Sequence, residues 1–505
     1  MKRVSPIMTA HLIRGAFCVL LLLGVCLIPF ALGQRSATER SAAAPDRAGG
    51  APVAPAGGGI YEAWVAPYNG QAQAIAVDAS ANVYVTRTRS YGGGHEYATI
   101  KYDSSGQQQW LAEYHGPGND DYARGIAIDD SGNVYVTGYS RRFEGGDMDY
   151  ATLKYDSAGQ QQWIARYNDP NNGYDQAYAI ALDSAGNVYV TGDGQGYATV
   201  KYNSSGQEQW VAQYNGALAA LAIVVDASGN AYVTGGGYGD YATIKYNSSG
   251  QQQWLATYNG PGSDDDYAKA IAVDGLGNVY VTGQSTGIGT SWDYATIKYN
   301  ASGQQQWVAR YNGPGNDIDV AQALALADSG NVYVTGFSTG VGSAYDYATI
   351  KYNSAGQEQW VSRYNGPGNT DDAPYAMALD NSGNVYVTGY SGITDPYTTI
   401  KYSSDGQQQW IARYSSGFAY DIALDASRNV YVTGPSVTIK YVQGPTATPT
   451  ATTTATTTPT STPTASATPT ATATVSATPT PTARPTPTPR PAATPRSRPT
   501  PAPRP

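Results

Sequence analysis

Cysteine is nearly missing from the 505 residues: there are two, Cys18 and Cys26, both within the first 33 positions. Beyond residue 33 the chain has no disulfide, no thiol nucleophile and no thiolate metal site. Histidine is almost as scarce, and past that segment only His95 and His115 remain. They do not stand in a His-x-x-x-His ligand spacing, so histidine catalysis and a zinc centre are both disfavoured. With 5 Phe and 4 Met against 58 Gly and 43 Tyr, short strands and many turns are expected, not a helical core.

Charge is also thin, 14% of residues, and the net −9 is unevenly spread. Residues 1–33 carry +3, 34–59 carry +1 and 444–505 carry +5, which leaves −18 on 60–443. No nucleic acid is expected as partner, because such binding rests on neutralising phosphates. Lys2, Arg3 and Arg14 flank an apolar run, Ala16 to Ile28, that precedes Ala31 and Gly33. This pattern predicts a signal peptide over 1–33, cut near Gly33–Gln34 or kept as an anchor, and a secreted or cell-surface protein. No later segment is long and apolar enough to span a membrane. Residues 34–59 read as a flexible Ala/Gly/Pro linker. Residues 444–505 hold 16 of the 30 prolines and no acidic residue, the composition of a disordered, mucin-like Thr/Pro/Ala spacer.

What is present in quantity is repetition. Trp64, Trp110, Trp163, Trp210, Trp254, Trp307, Trp360 and Trp410 recur every 44 to 53 residues, all but the first closing a Gly-Gln-x-Gln-Trp run. Val-Tyr-Val-Thr recurs around Tyr84, Tyr135, Tyr189, Tyr280, Tyr333, Tyr386 and Tyr431, and as Ala-Tyr-Val-Thr around Tyr232. Each unit holds four strand-forming runs, here named a to d in order; for residues 122–167 they are Ala123–Asp129, Val134–Thr137, Tyr150–Tyr155 and Gln161–Tyr167. Asp-x-x-Gly-Asn between a and b, and Asp-x-x-Gly-Gln between c and d, suit tight hairpin turns closed by a left-handed glycine. The expected fold is all-β: an eight-bladed β-propeller of four-stranded antiparallel blades over 60–443. The N-terminal lone strand d, Ile60–Pro67, would join the C-terminal strands a, b and c and close the ring.

Repeats reading Tyr-Ala-Thr-Ile-Lys-Tyr-Asn-Ser-Ser-Gly-Gln-Gln-Gln-Trp, Asn-Gly-Pro-Gly-Asn and Gly-Asn-Val-Tyr-Val-Thr-Gly resemble the bacterial secreted β-propeller (SBBP) repeat. The resemblance covers essentially all of 60–443. It implies a propeller fold and an exported setting, and it carries over no catalytic residue. The a–b portion is also similar to NHL-type repeats, which implies that strand a is innermost.

The eight regular tryptophans are expected to be structural, filling the wedges between blades. The lysine ladder, Lys101, Lys154, Lys201, Lys245, Lys298, Lys351, Lys401 and Lys440, is expected to rest its stems on the blades. Its heads would meet the acids ending strand a: Asp78, Asp129, Asp183, Asp226, Asp274, Asp380 and Asp425. The b–c and d–a connections vary between repeats while the a–b and c–d turns do not. Both variable connections lie on one side, and variation on one face of a rigid scaffold marks a binding face.

That face is acidic. Asp120, Asp121, Asp264, Asp265, Asp266, Asp317, Asp319, Asp371 and Asp372 are the candidate calcium ligands, since Ca²⁺ takes oxygen donors; no cofactor is otherwise required. Glu96, Asp149, Asp293 and Asp346 add charge just before strand c. His95, Met148, Trp292 and Tyr345, each two residues before the strand c motif, are the candidate ligand contacts. The chain is therefore expected to be a monomeric, non-enzymatic binding module for an extracellular polysaccharide or surface protein. A structural cell-surface spacer is the alternative, and a carboxylate-pair glycosidase or lyase would need no other residue type.

Overall fold

The computed structural model describes residues 59–444, apart from 144–145, 237–238, 263, 393–394 and 416. The predicted signal peptide, most of the linker and the Thr/Pro/Ala tail lie outside the described residues. Among the described residues every regular element is a β-strand, and no helix is long and apolar enough to cross a membrane.

The chain folds as a β-propeller of four-stranded antiparallel sheets, each a simple meander. In one repeat the strands are Asp121–Ile128, Val134–Arg141, Met148–Tyr155 and Gln161–Tyr167. Comparable sheets span 175–214, 219–258, 267–311, 319–364 and 372–414, those of 219–258 and 267–311 touching through the single pair Gly236↔Tyr267. A seven-stranded sheet runs Asp421–Leu424, Val430–Thr433, Pro435–Gln443, Ile60–Val77, Val83–Tyr91, Gly94–Tyr102 and Gln108–Tyr114. The long strand Ile60–Val77 serves both ends of the fold. Its first half pairs with Pro435–Gln443, Ile60 opposite Gln443 and Pro67 opposite Val437. Its second half pairs with Val83–Tyr91.

Strand b is longer than the Val-Tyr-Val-Thr motif suggests and runs on to Arg141, opposite Asp121–Ile128 on one side and Met148–Tyr155 on the other. The glycine after the motif permits this. Strand a bulges between Ala123 and Gly125, and a Cβ on Gly138 would lie 2.0 Å from the Tyr122 carbonyl oxygen. Longer strands shorten the b–c connections. Pro435 and Ser436 already belong to the strand Pro435–Gln443.

The a–b turns follow from their aspartates. Asp129 Oδ1 accepts the backbone N–H of Ser131 and Asn133, and Oδ2 accepts Asn133 Nδ2 and the Tyr135 hydroxyl. Gly132, at φ 76°, supplies the left-handed residue. The same box forms around Asp78, Asp183, Asp226, Asp274, Asp380 and Asp425. Burial alone would raise the Asp129 carboxyl, but the bonds from Asn133, Tyr135 and Ser131 outweigh it and hold its pKa below the usual value.

Successive sheets are docked by the repeated side chains. Trp110 Nε1 and Lys101 Nζ both donate to the Ser157 carbonyl in the next repeat's c–d turn, at 3.1 and 3.4 Å. Trp64, Trp163, Trp210, Trp254, Trp307 and Trp360 reach the corresponding carbonyls of Ser104, Ser204, Ser248, Ala301, Ser354 and Ser404. The buried Tyr97 hydroxyl crosses to the Ala151 carbonyl, 3.2 Å away, and Tyr150, Tyr197, Tyr241 and Tyr294 do likewise. The lysine heads correct the sequence-based expectation. They lie about 5 Å from tyrosine ring centroids, as Lys101 does over Tyr84, a cation–π contact. Among the described residues, Lys201 alone comes within 4.0 Å of its strand-end acid, Asp183. These acids, Asp183 included, are already occupied by their own turns.

Candidate binding face

The two sides of the sheets differ in chemistry. The a–b and c–d turns share one side and, except at Ala327 and Ser403, repeat the same Asp or Asn box. The b–c and d–a connections share the other, and there the large apolar side chains reach solvent. Ile288 is 80% exposed and Val341 79%. Each sits between glycines at the tip of matching b–c loops, closed by Gly287 N–H to the Ser291 carbonyl and Gly340 N–H to the Ala344 carbonyl. Phe143 on another b–c loop, and Tyr174, Leu218 and Phe418 on d–a loops, are also exposed. On the opposite side Leu276 is the exposed large hydrophobic of a turn. Sequence reasoning passed over Ile288 and Val341; the signal was a lone apolar residue inside Thr-Gly-Ile-Gly-Thr and Thr-Gly-Val-Gly-Ser. Exposed apolar groups held on a rigid frame mark an interaction surface.

The candidate contact residues divide. Trp292 and Tyr345 are half-buried at the start of strand c, opposite Thr286 and Thr339. Tyr345 lies against Phe337 with ring centroids 4.7 Å apart. His95 keeps an exposed edge, with Nδ1 2.9 Å from the Tyr122 hydroxyl and 3.2 Å from Asp120 Oδ1. Met148 is a correction. It pairs with Arg141 inside the sheet and is buried, so it is not a ligand contact.

The nine candidate calcium ligands form two rows. Asp121, Asp266, Asp319 and Asp372 are buried at the start of strand a and accept the N–H of Gly116, Gly260, Gly313 and Gly366. Their carboxylates brace the d–a loops. Burial pushes Asp319 up to about 6. Asp120 is held by Arg141 at 2.8 Å and by His95. Asp264, Asp265, Asp317 and Asp371 are exposed. The acids before strand c are likewise internal: Asp293 and Asp346 pair with Arg310 and Arg363, each at 2.8 Å.

Among the described residues, the carboxylates and histidine that come close enough to share an ion are Glu96, Glu113 and His115, whose ligand atoms lie within 4.8 Å of one another. Arg89 pairs with both glutamates, and His115 Nδ1 lies 2.5 Å from Glu96 Oε2. Glu96 and Glu113 occupy the places that Asp149 and Arg166 hold one repeat later. The guanidinium has thus moved from strand d to strand b. Two Gly-x-Ser-x-Gly runs, around Ser285 and Ser338, were also missed. Both serines are buried on strands, with hydroxyls accepting hydrogen bonds from Arg310 and Arg363; neither is an exposed nucleophile at a strand-to-helix elbow.

Two shallow pockets open on this side. One, about 360 Å³, is lined by Gly92, Gly93, Gly94, Gly118, Asn119, Asp120 and Arg141. The other, about 470 Å³, is lined by Tyr174, Asp193, Gln195, Gly196 and Leu218.

Meandering four-stranded sheets docked through one set of repeated side chains define a β-propeller repeat protein. Four stretches of the chain match the SBBP family model described as "Beta-propeller repeat": residues 109–141, 162–197, 253–289 and 359–395. Solved structures similar to it include the C-terminal WD40 domain of Sif2 (TM-score 0.51, 8% identity, covering 76% of this chain and 98% of that one). The Dos1 propeller is similar as well (0.53, 10%, 76% and 95%). So is Chaetomium thermophilum Sqt1 bound to the N-terminus of the ribosomal protein L10 (0.53, 10%, 74% and 97%). At such identities the likeness is one of fold. No curated protein matches the sequence.

Proposed function

We propose that this chain is an exported, non-enzymatic binding module that recognises a polysaccharide or a surface protein through the side carrying its b–c and d–a connections. The observation that carries the reading is the exposure of Ile288, Val341, Phe143, Tyr174, Leu218 and Phe418 on that side. The acids left exposed there, Asp264, Asp265, Asp317 and Asp371, would meet calcium or a cationic partner. The basic and apolar N-terminal segment supports export. One fold relative, Sqt1, is solved with a bound protein segment, a use of the propeller that this reading extends to the present chain.

The same reading takes the propeller as eight blades closed by its termini. Two sets of contacts support it. Ile60–Val77 packs on Asp121–Ile128, and contact passes in turn to Asp175–Leu182, Ala219–Val225, Tyr267–Val273, Asp319–Leu326, Asp372–Leu379 and Asp421–Leu424, which meets Ile60–Val77 again. The Gly444 N–H donates to the Gly59 carbonyl at 2.8 Å, beside the paired terminal strands.

The test is a screen of the full chain against cell-wall polysaccharides, glycans and surface proteins, with calcium and with chelator, and with products analysed. Saturable binding without turnover supports the module, and loss with chelator assigns calcium a part in it. Cleavage of a ligand replaces this reading with a carboxylate-dependent hydrolase or lyase, and an empty screen replaces it with a surface spacer.

A further inference from the structure

The repeats carry an internal control for one site. In the repeat 121–167, Asp121 lies opposite Ser140 in register, Ser140 opposite Asp149, and Arg166 of strand d donates to Ser140 Oγ at 2.9 Å. Arg310 and Arg363 make the same bond to Ser285 and Ser338 at 2.6 Å and also bind Asp293 and Asp346. In each case a buried carboxylate is backed by a hydroxyl and an internal guanidinium.

In the repeat 175–214 all three partners are gone. Gly194 stands opposite Asp175 where the serine belongs, Gln213 replaces the arginine, and Gly196 replaces the acid before strand c. Gln213 instead donates to the Tyr167 hydroxyl at 2.9 Å. Acids are added: Asp193 follows Gly192 on strand b, and Asp169, also buried, donates its N–H to Asp175 Oδ2 at 2.8 Å. Asp175 is fully buried, and its Oδ1 has no hydrogen-bond partner, as is also true of Oδ1 in the equivalent Asp121, Asp319 and Asp372; what sets this repeat apart is the loss of the serine and of the arginine. A Cβ on Gly194 would lie 3.2 Å from that oxygen. Gly194 lies between Asp193 and Gln195, which line the 470 Å³ pocket with Tyr174, Gly196 and Leu218. Among the described residues no cation comes within ion-pairing distance of Asp169, Asp175 or Asp193, whereas the repeats 121–167, 267–311 and 319–364 keep an arginine at the matching position. Burial, with the charges of Asp169, Asp149 and Asp193, pushes Asp175 up to about 7. Burial pushes Asp193 up to about 6, against hydrogen bonds from Gly196 and Gln195.

We propose that this pocket binds a guanidinium group supplied from outside, in the place of the arginine that the repeats 121–167, 267–311 and 319–364 supply from within. Asp193 meets the cation at the pocket wall and Asp175 backs it from beneath, as paired carboxylates do for a planar guanidinium. The Tyr174 ring and Leu218 flank the alkyl stem. The site rests on the reading of this side as the binding face and names the chemistry it selects.

The test is calorimetric titration of the full chain with agmatine, with the peptide acetyl-Gly-Arg-Gly-amide, and with the citrulline peptide, the uncharged isostere. Saturable binding of agmatine and the arginine peptide, at least tenfold weaker for citrulline, is expected. Binding of the peptide alone, with citrulline again weaker, assigns the guanidinium to a protein segment instead of a free small molecule. Asp193→Asn should weaken binding at least tenfold. Gln213→Arg should abolish it while raising Tm, because the chain then fills its own site. Equal binding of citrulline, no effect of either substitution, or no binding of either cation overturns the proposal. A glycan or protein that binds the same chain independently of Asp193 would leave the face's role standing and remove this pocket alone.

Discussion

The docking of successive sheets predicts a difference between two tryptophans with the same sequence surroundings. Trp254 Nε1 donates to the Ala301 carbonyl at 3.1 Å in the next repeat's c–d turn. Trp410 lies before the repeat that the two chain ends build, where Pro435–Gln443 and Ile60–Val77 pair with no turn to join them. Its Nε1 is buried without a hydrogen-bond partner. Replacing either tryptophan by phenylalanine removes roughly 40 Å² of apolar contact, about 1 kcal/mol at 25 cal/mol/Å². Trp254→Phe also loses a hydrogen bond worth about 0.5–1.5 kcal/mol net. Trp410→Phe loses none and removes an unsatisfied buried donor, which offsets part of its cost. Urea unfolding followed by circular dichroism should therefore show Trp254→Phe more destabilising by about 1–2 kcal/mol. Equal costs, or a larger cost at Trp410, would refute the claim that the indole-to-turn bond joins neighbouring repeats.

Three other outcomes follow from the same geometry. Asp274→Ala removes four hydrogen bonds from one a–b turn and should cost about 2–3 kcal/mol, whereas substituting Ala327, which stands at that position without such a box, should be near neutral by the same unfolding assay. Ala81 holds the left-handed turn position at φ 61°, so Ala81→Gly should raise stability by about 0.5 kcal/mol, the strain relieved less the entropy of glycine. The pH profile should be skewed toward acid. Asp175 near 7, and Asp193, Asp319 and Asp421 near 6, have raised folded values, so the folded state holds more protons than the unfolded one between pH 4 and 7. Stability then falls as pH rises through that window. Asp78, Asp129, Asp183, Asp226, Asp274 and Asp380 are depressed by their turns, so their contribution is present above the unfolded carboxylate value and lost as pH drops through the folded one. Thermal melts should peak near pH 4; a maximum at pH 8 would contradict the assignment.

The frame was legible because each repeat states its turns locally. Asp129, Gly132 and Asn133 specify a hairpin without reference to anything distant, and the strand Gln161–Tyr167 lies where the pattern placed it. What sequence could not carry was partnership across repeats. The lysine heads sit on tyrosine rings and on the next repeat's carbonyls, because the strand-end acids are taken by residues two to six positions on. Met148 was misread because strand b runs past its motif and draws residue 148 into the sheet. Asp121 and Asp120 are adjacent in sequence, yet alternation along the strand sends one into the core and leaves the other at Arg141. The pocket beside Asp193 was the least legible feature. It exists through three side chains that are missing from one repeat, and the loss shows only when the repeats are superposed in register.

The most direct measurement compares two variants with the unmodified chain against a ligand from the polysaccharide and surface-protein screen. One variant carries Ile288→Ser, Trp292→Ala, Val341→Ser and Tyr345→Ala on the side of the variable connections. The other carries Leu276→Ser with Ser249→Ala and Ser302→Ala on the side of the repeated turns. The account predicts that the first loses saturable binding with Tm nearly unchanged, while the second binds as the parent does. Binding retained by the first variant and lost by the second would place recognition on the wrong side of the propeller and contradict the account.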